Sequence, residues 1–192
     1  MQPNRVCYTE DSMNWPEFVI GGFNHFGFQV DHFESNTDAW TNPQRGIASN
    51  PNRFDVFVFD NDTGYQTMEG HEIIQKVLDL PPTDREIVVI ILSSSNPAIF
   101  SREDFLKLRD EHNVQLCWKP YSFYLQAEYA RQRIDEKTSI TFKEWLMSTR
   151  GIDLEQREGE DLMKKANDEL GRQIRRGMAE REGFSGPKEK EI

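Results

Sequence analysis

Cysteine is almost absent: Cys7 and Cys117 are the only two in 192 residues, and both sit inside apolar, strand-like runs. Two such residues argue against a disulfide framework or a metal pair and read as buried thiols in a reducing compartment. Histidine is scarce too, and His25, His32, His71 and His112 show no metal-ligand spacing. No run approaches the roughly 18 apolar residues of a membrane span, and the first residues lack the basic and apolar regions of a secretory signal. The expected location is cytoplasmic. Basic residues fall short of acidic ones, 23 against 33, for a formal net charge of -10. That balance disfavours a broad phosphate-tracking face, so no nucleic-acid partner is expected by default. A Gly-rich phosphate loop, a zinc motif and a serine nucleophile elbow are all missing.

What is present centres on Phe54 to Asp60, Phe-Asp-Val-Phe-Val-Phe-Asp, which is apolar on both faces. A central strand of a parallel sheet, covered above and below, reads that way. Other strand-like runs are Arg5–Thr9, Phe28–Phe33, Ile87–Leu92 and Val114–Trp118. Helical spacing follows each of them. Trp15-Pro16 opens the first helix, with Asn14 as a cap and Phe18, Val19, Phe23 and Phe26 as its apolar side. Ser35 to Trp40 forms a short second helix, and Met68 to Leu80 a third, closed by Pro81-Pro82. Ser101 with Asp104 caps a fourth, and Phe123 to Ile134 is the fifth. Strands and helices in strict alternation predict an α/β, flavodoxin-like (βα)5 doubly wound parallel sheet. Right-handed crossovers favour the strand order 2-1-3-4-5.

In that order the first and third strands are neighbours. Glu10, Asp11 and Asp60 then converge at one carboxyl edge, where open α/β sheets bind ligands, with Ser93 and Lys119 beside them. At an effective dielectric near 20, each pair of carboxylates about 4 Å apart costs roughly 4 kcal/mol. Mg²⁺, which takes oxygen ligands and is held by one or two carboxylates plus a phosphoryl oxygen, would compensate. Asp60 would then be a nucleophile toward a phosphoryl donor, with Lys119 and a serine hydroxyl stabilising the transferred charge.

These residues resemble the receiver domains of two-component response regulators. The resemblance runs from Arg5 to about Ile134. Val-Cys-Tyr-Thr-Glu10-Asp11 is similar to the family's first strand with its acidic pair, and Phe54 to Asp60 to the strand ending in the phosphorylated aspartate. Met68-Glu-Gly70-His-Glu-Ile-Ile resembles the opening of the third helix. Ile-Ile-Leu-Ser93-Ser94 resembles the switch serine or threonine followed by a small residue, and Trp-Lys119-Pro120-Tyr the Lys-Pro step. The resemblance implies that Asp60 accepts a phosphoryl group from a histidine kinase or phosphotransfer protein. It implies that Glu10, Asp11, Asp60 and the backbone carbonyl of Asp62 hold Mg²⁺. Ser93 would bond a phosphoryl oxygen and Lys119 would pair with it, the chain catalysing at most its own phosphorylation and dephosphorylation. Three features depart from the family pattern. The usual Met-Pro after the aspartate is missing, and Asn61 to Thr67 is about two residues longer. Leu116 stands where an aromatic residue is frequent.

The division expected is a receiver domain over 1–137, a helical extension over 138–182 and a disordered tail over 183–192. In the extension, Thr141 with Glu144 forms a capping box ahead of Trp145. Further on, Leu162, Ala166, Leu170 and Ile174 make a thin stripe that Gly159, Gly171 and Gly177 loosen. That stripe reads either as a frayed, solvated helix or as one that pairs with a second copy or another protein. The functional expectation is a phosphorylation-switched interaction protein. Its downstream protein target, or a homodimer partner, would meet the tail or the face of the fourth helix, fifth strand and fifth helix. A pseudo-receiver that never takes phosphate is the competing reading. A hydrolase of small phosphate esters, using Asp60 transiently, is the third.

Overall fold

The computed structural model describes residues 4–12, 15–64, 67–80, 89–94, 96–118, 123–154 and 159–181. Five strands, β1 (Arg5–Thr9), β2 (Gln29–Phe33), β3 (Val56–Asp60), β4 (Val89–Ser94) and β5 (Gln115–Trp118), form one parallel sheet in the order β2-β1-β3-β4-β5. Between and after them run α1 (Pro16–His25), α2 (Asn36–Thr41), α3 (Gly70–Leu78), α4 (Glu103–His112) and α5 (Phe123–Glu136). Two more helices among the described residues, α6 (Phe142–Arg150) and α7 (Gly159–Arg181), follow them.

The unbroken apolar run of β3 has its reason in this arrangement. Val56 and Val58 face a core shared with Val6, Tyr8 and Ile91 beneath α1 and α5. Phe57 and Phe59 face the opposite core with Cys7, Ile90 and Leu92, packed against α3 and α4. Both faces of a pleated strand are therefore dry, and no position can be polar until Asp60 ends it. Cys7 is buried with no disulfide partner, and that burial pushes its thiol well above its ordinary pKa, as expected of a packing residue.

Local signals account for several helix starts. Ser35 Oγ accepts the Asp38 N–H at 3.0 Å and caps α2. Glu69 with Glu72, and Thr141 with Glu144, form reciprocal capping boxes at α3 and α6. Elsewhere the expectations need correction. Asn14 lies outside the described residues, and Trp15 takes the capping position of α1 without a side-chain bond. Phe18 is 45% exposed instead of facing inward, because Val19 and Phe23 already fill that side of α1. Ser101 does not cap α4. Residues Pro97–Ser101 form a 3-10 turn in which the Ser101 hydroxyl donates to the Ala98 carbonyl, and α4 begins two residues later. β4 runs on through Ser93 and Ser94 instead of stopping at Leu92.

The C-terminal helices share the core under α1 and α5. Phe142 and Trp145 stack at 5.7 Å beside Tyr129, whose hydroxyl donates to the Ile140 carbonyl at 2.6 Å. Helix α7 is not a frayed, solvated element. It packs on α5 and α1 through Met163, Asn167, Gly171 and Ile174. Leu162, placed on the stripe by the apolar pattern, is exposed. Gly171 lets the Tyr124 ring lie directly on the helix, since a Cβ there would meet Tyr124 Cε2 at 2.5 Å. No helix among the described residues is long and apolar enough to cross a membrane.

Candidate functional site at the carboxyl edge of the sheet

The pairing of β1 with β3, Val6 beside Val56 and Tyr8 beside Val58, makes the two chains leave the sheet side by side. Glu10 and Asp11 follow β1 and Asp60 ends β3. One carboxylate oxygen from each of the three lies within 4.8 Å of the others. Glu10 and Asp60 are 2% and 5% exposed, whereas Asp11 opens to solvent. The pocket is thus walled on two sides and open on the third.

The two buried acids, Glu10 and Asp60, are held by their surroundings. Glu10 donates its N–H to the Phe33 carbonyl at 3.1 Å. Its carboxylate accepts the Ser12 N–H at 3.2 Å and the Tyr8 hydroxyl at 3.4 Å. His32 Nε2 sits 3.0 Å from the Glu10 carbonyl. Asp60 is fixed through a closed ring. Its N–H donates to Thr9 Oγ1 at 3.0 Å, and the Thr9 hydroxyl donates to Asn36 Oδ1 at 2.6 Å. Asn36 Nδ2 then donates back to the Asp60 carbonyl at 2.8 Å. Both ends of the Asp60 main chain are held, which leaves its carboxylate at the pocket.

Gly64 and Gly70, in the chain after Asp60, come close to the acids. Gly70, at the start of α3, donates its N–H to the Asn61 carbonyl at 3.0 Å. A Cβ at Gly70 would collide with Asn61 Cα and the Asp60 carbonyl oxygen, so the helix reaches the pocket only because the residue is glycine. Gly64 has φ +97°, and a Cβ on it would lie 3.6 Å from Asp11 Oδ2. Asn61 Oδ1 is buried and has no hydrogen-bond partner among the described residues. Asp62 is exposed and its side chain accepts the Gly64 N–H at 3.3 Å.

Ser93 lies across the ladder from Asp60 and is fully buried, its hydroxyl donating to the Phe59 carbonyl at 3.2 Å. Lys119 lies outside the described residues, as do Pro120 and Tyr121. Of the residues singled out in sequence, Glu10, Asp11, Asp60 and Ser93 therefore meet at one edge. The sequence reading missed Asn36, and gave Thr9 and Gly70 only as members of motifs without a role at the site. Nothing in the local pattern marks Asn36, which reads as an ordinary polar residue behind a serine cap.

The donor set suits a hard divalent cation. All three groups are anionic oxygens, and Asp11 is exposed to water, which suits Mg²⁺ because it keeps part of its hydration shell. At an effective dielectric near 20, two carboxylates about 5 Å apart repel by roughly 3 kcal/mol, which a cation among them removes.

No protein-family model matches the chain, and no curated protein matches it. Solved structures do. A response regulator receiver domain protein from Clostridium thermocellum aligns with TM-score 0.51 at 15% identity, over 70% of this chain and 99% of the other. NtrX from Brucella abortus, solved in complex with ADP, aligns with TM-score 0.51 at 14% identity, over 71% of this chain but only 29% of its own. These likenesses establish the fold: the chain has the flavodoxin-like fold of response regulator receiver domains, followed by two helices.

Proposed function

We propose that the chain is a receiver protein of two-component signalling, in which Asp60 accepts a phosphoryl group from a histidine kinase or phosphotransfer protein. The observation that carries this reading is the meeting of Glu10, Asp11 and Asp60 at the carboxyl edge of a receiver-type fold. In the transfer, a carboxylate oxygen of Asp60 attacks the phosphorus of a phosphohistidine. The P–N bond breaks and its electron pair returns to the imidazole nitrogen, the ring having entered protonated on its other nitrogen and leaving neutral.

Glu10, Asp11 and the main-chain carbonyl of Asp62 would hold Mg²⁺ against Asp60, where the ion supplies positive charge to the phosphoryl oxygens. Ser93 Oγ would leave the Phe59 carbonyl and donate to a phosphoryl oxygen, and Lys119 would pair with another. That exchange at Ser93 shifts the population of conformers on the face of α4, β5 and α5, where a downstream protein or a second copy would dock. The protein would work in the cytoplasm.

Incubation with Mg²⁺ and acetyl phosphate, followed by intact-mass measurement, tests the reading. The mass gain of one phosphoryl group is expected on the natural chain and not on Asp60→Asn. Absence of the gain on both would make the protein a binding module that keeps the fold without the chemistry. Continuous phosphate release with no accumulated adduct would make it a hydrolase.

A further inference from the structure

Asn36 is completely buried, although it stands at the first turn of a short surface helix. The helix does not need it, because Ser35 already supplies the cap. Its groups are spent elsewhere. Nδ2 donates to the Asp60 carbonyl at 2.8 Å and to the Met68 carbonyl at 2.9 Å. Oδ1 accepts the Thr9 hydroxyl, and the Asn36 N–H donates to Thr63 Oγ1 at 3.2 Å. An amide has two donors and an acceptor, and all are used here. Aspartate lacks the donors, glutamine is a methylene too long, and serine cannot span from Asp60 to Met68.

One residue thus ties down the chain at positions 60, 63 and 68. Between the ties lie Asp62, whose carbonyl is the proposed ligand, and Gly64, which approaches Asp11. We propose that Asn36 is a positioning residue that sets the geometry of the cation and acceptor pocket by holding both ends of the segment following Asp60. The role in chemistry rests on the reading of Asp60 as phosphoacceptor; the holding of the segment does not. Groups that orient metal ligands from behind typically change affinity by roughly 10- to 100-fold when removed, and Asn36→Ala is expected to weaken Mg²⁺ binding by that amount.

The full chain, Asn36→Ala and Tyr129→Phe are compared by amide hydrogen exchange in Mg²⁺-free buffer, by calorimetric Mg²⁺ titration and by the rate of mass gain with acetyl phosphate. Tyr129→Phe loses a hydrogen bond on the opposite face and controls for lost stability. Should Asn36→Ala not fold, Thr63→Val, which removes the tie to the Asn36 main chain together with the contact to Thr67, takes its place. The expected result is faster exchange confined to the segment after Asp60, with weaker Mg²⁺ binding and slower mass gain, in the Asn36 variant alone. A lowered melting midpoint with unchanged segment exchange, or with unchanged Mg²⁺ affinity, would overturn the assignment. If the natural chain itself takes neither Mg²⁺ nor phosphate, the phosphoacceptor reading fails. The exchange pattern then decides alone whether Asn36 holds the segment.

Discussion

Asn167 of α7 accepts the main-chain N–H of Tyr124 at 2.9 Å and that of Leu125 at 3.4 Å, through the same side-chain oxygen. The first turn of α5 has N–H groups that no residue within the helix can accept, and a helix 43 positions further along the chain supplies the acceptor. Arg175 reinforces the contact, donating to the Tyr124 hydroxyl at 3.0 Å with its guanidinium over the ring. The last helix is therefore built into the receiver fold at the start of α5, and its fixation depends on a polar side chain.

This contact makes the first prediction. Asn167→Ala removes the acceptor that Tyr124 and Leu125 share and is expected to cost about 1 kcal/mol, the usual worth of a capping side chain. Asn167→Asp keeps the acceptor and is expected to retain most of the stability. Urea unfolding of the three proteins measures the difference. A midpoint for Asn167→Ala equal to that of the natural chain would mean that the cap contributes nothing.

Glycine substitutions give the second prediction, because two positions differ sharply. At Gly70 a Cβ would press on main-chain atoms of Asp60 and Asn61, which cannot move without disturbing the acids. Gly70→Ala is expected to destabilise by about 1–3 kcal/mol, the range of overpacking, and to weaken Mg²⁺ binding as α3 backs away. At Gly21, in α1, nothing lies within 4 Å of the added carbon. Gly21→Ala is expected to stabilise by about 0.5–1 kcal/mol through helix propensity alone. Thermal unfolding of both variants checks the opposite signs.

How much of this was legible beforehand depends on the kind of residue. The both-faced apolar run of β3 announced a central parallel strand, and crossover handedness then brought Glu10 and Asp11 beside Asp60. The Thr141–Glu144 pair was readable because a cap acts within a few residues. The cap expected at Ser101 failed because Pro97 starts a competing turn that claims its hydroxyl. Of the stripe drawn through Leu162, Ala166, Leu170 and Ile174, only Leu162 faces solvent: Ile174 is buried, Ala166 and Leu170 are half-buried against the core, and Met163, Asn167 and Gly171 widen the packed side. An asparagine and a glycine are invisible to a hydrophobic period, although each makes a close contact. Asn36 escaped for the same reason, since the value of a buried amide lies in partners distant in sequence.

The third prediction concerns acid. Asp31, on β2, binds Arg5 with Nη2–Oδ2 at 2.6 Å and Arg53 with Nε–Oδ2 at 3.2 Å, and its side chain is 12% exposed. Burial alone would raise its pKa, but the hydrogen bonds from the two guanidinium groups outweigh that and hold the carboxyl below its ordinary value. A carboxylate with a depressed folded-state pKa contributes stability above its unfolded value, about 3.9, and loses it as pH falls through the lower folded-state value. At neutral pH, Asp31→Asn is expected to cost about 2 kcal/mol, as for hydrogen bonds between charged groups. Below about pH 4 the gap between the two proteins narrows, because protonation does to Asp31 what the substitution has already done. Urea midpoints across acid pH measure that convergence. A gap that stays constant down to the acid limit would show that the two arginines hold Asp31 through packing and not through its charge.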